Sequence, residues 1–187
     1  SGLGMNAPAM KATGIKKALP DDIEQAQVAL FMGASALDSL ENANFLERFI
    51  QKFPQSPDGY IYRARTLASS LKFAEAEKDM NTALKVADKK DDVHYQYANL
   101  IYQHYLLQAN TPYEPWTLDR ALQESKEAYA ITPMPVYLRQ QAQLLYTQQR
   151  YEEAFQLYQQ LAQSDMRSAD IFYAAAQCRL ALKDQEG

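Results

Sequence analysis

The sequence predicts an all-α fold, a stack of helical hairpins with no sheet, and three observations carry that reading. Of 187 residues only six are Gly and eight are Pro, too few for the many tight turns of a β-sandwich. Ala, Leu, Gln, Glu and Lys dominate, and these lose little on entering a helix. Apolar residues recur at intervals of three and four along most of the chain, which puts them on one helical face. Small residues also return in phase: Ala64, Ala98, Ala142 and Ala176 are separated by 34, 44 and 34 positions. With 47% apolar and 22% charged residues, the chain can form an ordinary core.

Residues 1–20 contain Gly2, Gly4, Gly14, Pro8 and Pro20 without an apolar period, and are read as a flexible lead-in. The first helix starts after Pro20, where Asp21 and Asp22 suit the positive end of the helix dipole. Its stripe is Ile23, Ala26, Leu30, Gly33 and Leu37. A second helix from Leu40 turns Phe45, Leu46, Phe49 and Phe53 inward and stops at Pro54. Ser56-Pro57-Asp58 restarts the chain, with Ser as cap and Pro at the first helical position. The third helix carries Tyr60, Arg63, Ala64 and Leu67; the fourth carries Phe73, Ala76, Met80, Ala83 and Leu84. The fifth, from Asp91 to about Gln108, turns His94, Tyr97, Ala98 and Ile101 inward. The irregular segment 109–116 follows, and helix six is expected to start near Pro115 and run through Ala121, Ser125 and Ala128 to Pro133. Helices seven and eight carry Leu138, Ala142 and Leu145, then Tyr151, Ala154, Tyr158 and Leu161, around a turn at Gln148-Gln149-Arg150. Helix nine runs from about Ser168 to Leu182.

The paired helices keep the same beat. Ala76, Ala121 and Ala154 are 45 and 33 apart, as are Ala83, Ala128 and Leu161, and the longer step falls on the Pro-rich insertion. Helices cross closely only where side chains are small, so Ala64 is set to face Ala76, and Ala142 to face Ala154. This pattern resembles the tetratricopeptide repeat, a helix-turn-helix unit of 34 residues with aromatic, Leu, Ala and Pro anchors. The unit from Pro135 is the most regular, and those from Pro57 and Asp91 follow it. Departures are the absent Trp and Gly anchors, and Asp88 and Met166 in place of the closing Pro. The resemblance implies a right-handed α-solenoid, and divides 21–187 into a degenerate unit at 21–56, then 57–90, 91–134 with the insertion 109–116, 135–168, and a partial unit at 169–187.

Few catalytic classes find support. The net charge of −4 argues against nucleic acid or an anionic membrane as partner, since phosphates need clustered Lys and Arg. A single Cys, Cys178, excludes an internal disulfide and a multi-Cys zinc site. It shares its helical place with Thr66, Leu100 and Leu144, so it is read as a small buried hydrophobe rather than a nucleophile. His94 and His104 are ten apart, about 80° around a helix, and cannot share one metal; His94 is read as a packed core residue. Glu152 and Glu153, like Asp58, Asp92 and Asp170, open helices and are read as solvated dipole partners. No metal, cofactor or enzymatic activity is expected. No apolar run approaches the roughly 20 residues of a membrane span, and no charged start precedes a long apolar run, so the chain as given is expected to be soluble without an intact signal peptide. Asn6-Ala7-Pro8-Ala9 could flank a former cleavage site.

The resemblance further implies a protein-interaction scaffold that holds an extended peptide or partner helix along a concave face. The family's exposed positions there fall on Ile61, Arg65, Ala68 and Ser69; Tyr95, Asn99, Tyr102 and Gln103; Arg139, Gln143, Tyr146 and Thr147; and Tyr173, Gln177, Leu180 and Ala181. Nine of them are the candidate groove contacts: Arg65, Tyr95, Asn99, Tyr102, Arg139, Gln143, Tyr146, Tyr173 and Gln177. Tyr offers large contact area at low entropy cost, and Asn and Gln can pair with a peptide backbone. The Lys-Asn pairing of the family's carboxylate-clamp class is not matched. Two other readings stay open: a regulatory or sensor segment of a longer protein with its output domain beyond residue 187, and a carbohydrate- or small-ligand-binding helical protein. Trp116, the lone Trp, is expected to pack over its own loop, although a loop interrupting a repeat is also where a specific contact could be built. Phe172, Ala176 and Cys178 are expected to need a covering helix, supplied by a following segment or, without one, by a second copy.

Overall fold

A computed structural model describes residues 19–33, 39–107, 112–164 and 168–186. Among the described residues there are nine α-helices and no strand: α1 Ile23–Gly33, α2 Ser39–Lys52, α3 Pro57–Ser69, α4 Phe73–Val86, α5 Asp91–Leu107, α6 Leu118–Ile131, α7 Pro135–Thr147, α8 Tyr151–Ala162 and α9 Ala169–Glu186. The all-α expectation holds. Leu37, Met166, most of the lead-in 1–20 and part of the insertion lie outside the described residues.

Helix starts follow local chemistry. Asp22 caps α1, its Oδ1 accepting the Gln25 amide at 3.0 Å, while Asp21 pairs with Lys52 of α2. Ser56 has the extended backbone of a cap, but its hydroxyl donates to Asp58 Oδ2 at 3.3 Å instead of accepting an amide. Helix six begins at Leu118, later than Pro115, because Thr117 is the residue that accepts the Arg120 amide. The α3–α4 and α7–α8 turns are alike: Leu71 and Gln149 adopt φ of 61° and 62°, a left-handed conformation that side chains pay about 1–2 kcal/mol to enter.

Successive hairpins α3/α4, α5/α6 and α7/α8 pack on one another, and α9 packs on α8. Their shared core centres on small residues: Ala64, Ala76, Ala83, Ala121, Ala142 and Ala154 are all completely buried. Met80, Tyr97, Ile101, Leu144 and Leu161 fill the space between them. The α1–α2 pair keeps a core of its own from Ala26, Leu30, Phe45, Leu46 and Phe49, with Phe53 and Tyr62 packed against it. Gly59 sets the junction, since a Cβ there would lie 2.7 Å from Ile50 Cγ1 and 2.9 Å from Phe49 Cδ1.

One anchor departs from expectation. Ala176 is exposed although it is in phase with Ala64, Ala98 and Ala142. Those three are completely buried on helices that pair with the second helix of their own hairpin, and among the described residues no helix follows α9. Of the trio expected to need a covering helix, Cys178 is already buried beside Tyr158 and Leu161, whereas Phe172 and Ala176 are open.

Candidate functional site

The first helices α3, α5, α7 and α9 carry the nine candidate residues, and side chains stitch these helices together along one face. Between α3 and α5, Arg65 Nη2 donates to Gln96 Oε1 at 2.5 Å. The Arg65 guanidinium also lies 5.2 Å from the Tyr62 ring centroid. Between α5 and α7, Gln140 Nε2 donates both to Asn99 Oδ1 at 2.8 Å and to the Tyr95 carbonyl at 3.1 Å. The Tyr95 ring packs against Tyr137 at 5.4 Å. One turn further along, the Tyr102 hydroxyl is 3.2 Å from Thr147 Oγ1, and Gln143 Nε2 donates to it at 3.5 Å. Between α7 and α9, Arg139 meets Asp170 at 3.8 Å. Tyr146 leans on Tyr151 of α8 at 5.1 Å in an edge-on contact. Tyr173 and Gln177 lie on α9, Tyr173 exposed and Gln177 half-buried.

These contacts leave the stripe half open. Arg65, Tyr95, Asn99 and Tyr102 are half-buried, while Arg139, Gln143, Tyr146 and Tyr173 are exposed. Such residues already have partners for part of their surface, and still offer ring edges, amides and guanidinium hydrogens to a ligand. The wider set fares unevenly. Ile61 is buried in the core rather than exposed, and Ala68 is half-buried against it. Both pack into the core shared by the hairpins and not into the α1–α2 core, so this part of α3 faces its neighbours in the stack.

Carboxylates border the stripe at the starts of α3, α5 and α9, where Asp58, Asp92 and Asp170 stand. Asp58 accepts from Gln27 of α1 at 2.6 Å. Burial raises the Asp92 carboxyl above its ordinary range, against the Gln96 hydrogen bond; Asp58 and Asp91 push it further, and Arg65 opposes them. With Arg65 and Arg139 as cations, the face is mixed in sign rather than an anion site.

Gln96, Gln140 and Tyr137 were not among the residues read from sequence, yet they make the seams. A signal existed: Tyr62, Gln96 and Gln140 share one place in successive units, one residue beyond the chosen positions. Gln140 is buried, and its Oε1 has no hydrogen-bond partner.

The histidines and Trp116 lie elsewhere. His94 is half-buried, with Nδ1 2.6 Å from Glu124 Oε2, and Glu124 also accepts from Arg120 at 2.7 Å. His104 is buried against Phe73, the two rings tilted by 46° with centroids 3.6 Å apart, and burial lowers its pKa. Trp116 packs over its own loop onto Tyr113, as expected, and also into the core against Phe73, Tyr97 and His104. Glu77 of α4 ties the insertion down, accepting from Tyr97 at 3.0 Å and Tyr113 at 2.7 Å. Burial raises the Cys178 pKa, which disfavours a thiolate. Among the described residues no cluster of three or more His, Cys, Asp or Glu is arranged to hold a metal, and no helix is long and apolar enough to cross a membrane. An open cleft of about 420 Å³ lies where α1, α2 and α3 meet, lined by Ile23, Gln27, Phe53 and Pro57 among others, and shares no residue with the stripe.

No family profile matches the chain, and no curated protein does. Among solved structures it is similar to YrrB, a TPR protein with an unusual peptide-binding site. The two share 16% identity over 89% of this chain and 80% of that one, with a TM-score of 0.59. PilF of Pseudomonas aeruginosa aligns at 16% identity over 87% of both chains, with a TM-score of 0.37 that carries no argument. The first likeness shows the fold, a solenoid of the tetratricopeptide type.

Proposed function

We propose that this tetratricopeptide-type solenoid is a non-catalytic scaffold that holds an extended peptide across the stripe formed by α3, α5, α7 and α9. The observation that carries the reading is the stitching of those helices through side chains of one face. Arg65–Gln96, Asn99–Gln140, Tyr102–Thr147 and Arg139–Asp170 fix the helices edge to edge. That pre-organisation lowers the entropy lost when a ligand binds. Tyr95, Tyr102, Tyr146 and Tyr173 supply rigid contact area, and Asn99, Gln143 and Gln177 supply amides that match a backbone in either direction. Arg65 and Arg139 favour a carboxylate side chain near the middle of the ligand, while Asp58 and Asp92 favour a cation beside α3 and α5. The YrrB likeness supports a scaffold of this kind through fold alone.

The test is a randomised peptide array probed with the chain, beside a glycan array. A peptide family is expected to bind, with Tyr102→Ala and Arg139→Ala each weakening it about tenfold or more, roughly 1.4 kcal/mol. Arg150→Ala, on the α7–α8 turn, is expected to leave affinity unchanged. Binding of glycans alone, or peptide binding indifferent to Tyr102 and Arg139, would refute the reading.

A further inference from the structure

The seams between first helices share one register, and one of them lacks a partner. Arg65 of α3 donates to Gln96 of α5, 31 positions on, at 2.5 Å. Asn99 of α5 accepts from Gln140 of α7 at 2.8 Å, 41 positions on, the repeat being ten residues longer there. Between α7 and α9 the offset of 31 returns, since Arg139 meets Asp170. That register sets Gln143, the counterpart of Arg65 and Asn99, opposite Ala174, the counterpart of Gln96 and Gln140. Ala174 packs against the shared core, and its methyl group can neither donate nor accept.

Gln143 is therefore left with open hydrogen-bonding capacity. Its Nε2 reaches the Tyr102 hydroxyl only at 3.5 Å, and its Oε1 accepts no hydrogen bond from the protein among the described residues. The side chain is exposed. Its counterparts in the other seams are engaged. Gln140 is 7% exposed, with Nε2 held by Asn99 and the Tyr95 carbonyl. Gln96 lies between Arg65 and Asp92. Tyr102, Tyr146 and Tyr173 surround the open amide, Tyr146 and Tyr173 with rings that face solvent.

We propose, on the groove reading above, that Gln143 sets the register of the bound peptide by pairing with the main chain of one internal ligand residue. In an extended chain the N–H and C=O of one residue point to the same side. A carboxamide matches both, Oε1 accepting from the N–H and Nε2 donating to the C=O. The pair forms over the gap at Ala174, with Tyr146 and Tyr173 beside it to keep water away. The α3–α5 and α5–α7 seams, closed by their own amides and by Arg65, offer the ligand side-chain contact instead.

The test takes a peptide selected on the array and methylates one main-chain nitrogen at a time. Affinities are read by fluorescence anisotropy on the wild-type chain, Gln143→Ala and Ala174→Gln. One methylated position is expected to lose about tenfold on the wild type. Gln143→Ala is expected to bind the parent peptide more weakly by a similar factor, and to lose nothing further at that position. Ala174→Gln is expected to weaken binding too, because the added amide pairs with Gln143 as Gln140 pairs with Asn99. Gln143→Ala alters an exposed residue and is expected to stay folded by circular dichroism, so the test stands on it if Ala174→Gln unfolds. Peptide binding that needs Tyr102 and Arg139 but is indifferent to Gln143→Ala overturns this role and leaves the groove reading in place. So does a methylated position that loses as much on Gln143→Ala as on the wild type. Failure to bind any peptide overturns the groove reading and the role of Gln143 with it.

Discussion

Ala142 and Ala176 occupy the same place in two units and meet opposite fates, one completely buried and the other in solvent. Ala142→Leu adds three carbons to a closed helix crossing and is expected to cost about 1–3 kcal/mol in a urea melt. Ala176→Leu is expected to change stability by no more than about 0.5 kcal/mol. Equal losses at the two sites would show that α9 is covered after all. Gly59 teaches the complementary lesson. Nothing in the sequence distinguishes it from an ordinary helical glycine, yet Phe49 and Ile50 of α2 occupy the space a methyl group would need. The gain in helix propensity from Ala is about 1 kcal/mol, and a clash under 3 Å with two packed side chains outweighs it.

At the scale of the element, the turns hold stored strain. Leu71 and Gln149 sit at matching points of the α3–α4 and α7–α8 turns with positive φ, and the Leu71 side chain is largely exposed, so little packing compensates it. Leu71→Gly is expected to stabilise the chain by up to about 1 kcal/mol, the relief of strain exceeding the extra freedom of an unfolded glycine. Thermal melts of the variant read this directly, and a lowered midpoint would mean the leucine packs in a way its exposure conceals. The described part of the insertion, from residue 112, is irregular and still firmly packed. Trp116 and Tyr113 rest 113–117 on an aromatic floor of Phe73, Tyr97 and His104, and Glu77 accepts from Tyr113 of the segment and from Tyr97 of the floor.

For the whole molecule, pH is the simplest probe of that buried floor. Burial holds His104 below its ordinary pKa, so on acidification the unfolded chain takes up the proton first. Stability is therefore expected to be flat above about pH 6.5 and to fall as the pH drops below it. His104→Phe keeps a ring against Phe73 and is expected to flatten the decline between about pH 6.5 and 5. Asp91 acts in a lower window. Burial pushes its carboxyl up, but the neighbouring Thr132 and Tyr137 hydroxyls and Lys89 bring it below its ordinary value. Its contribution is lost only as the pH falls below about 4 towards that lowered pKa. A His104→Phe profile that still bends at pH 6 would assign the slope to another group.

Helix existence, the repeat step and the buried alanines were legible in the sequence, because intervals of 3, 4 and 34 residues are properties of order along one chain. So was the side of each first helix that carries Arg65, Asn99, Tyr102 and Arg139. Seams between helices were not legible, since Gln96, Gln140 and Tyr137 matter through residues 31 to 46 positions away. Nor was the burial of Ile61 in the core shared by the hairpins, or the exposure of Ala176. Sequence determined which faces exist; which of them are covered was decided only by the packing of one helix on the next.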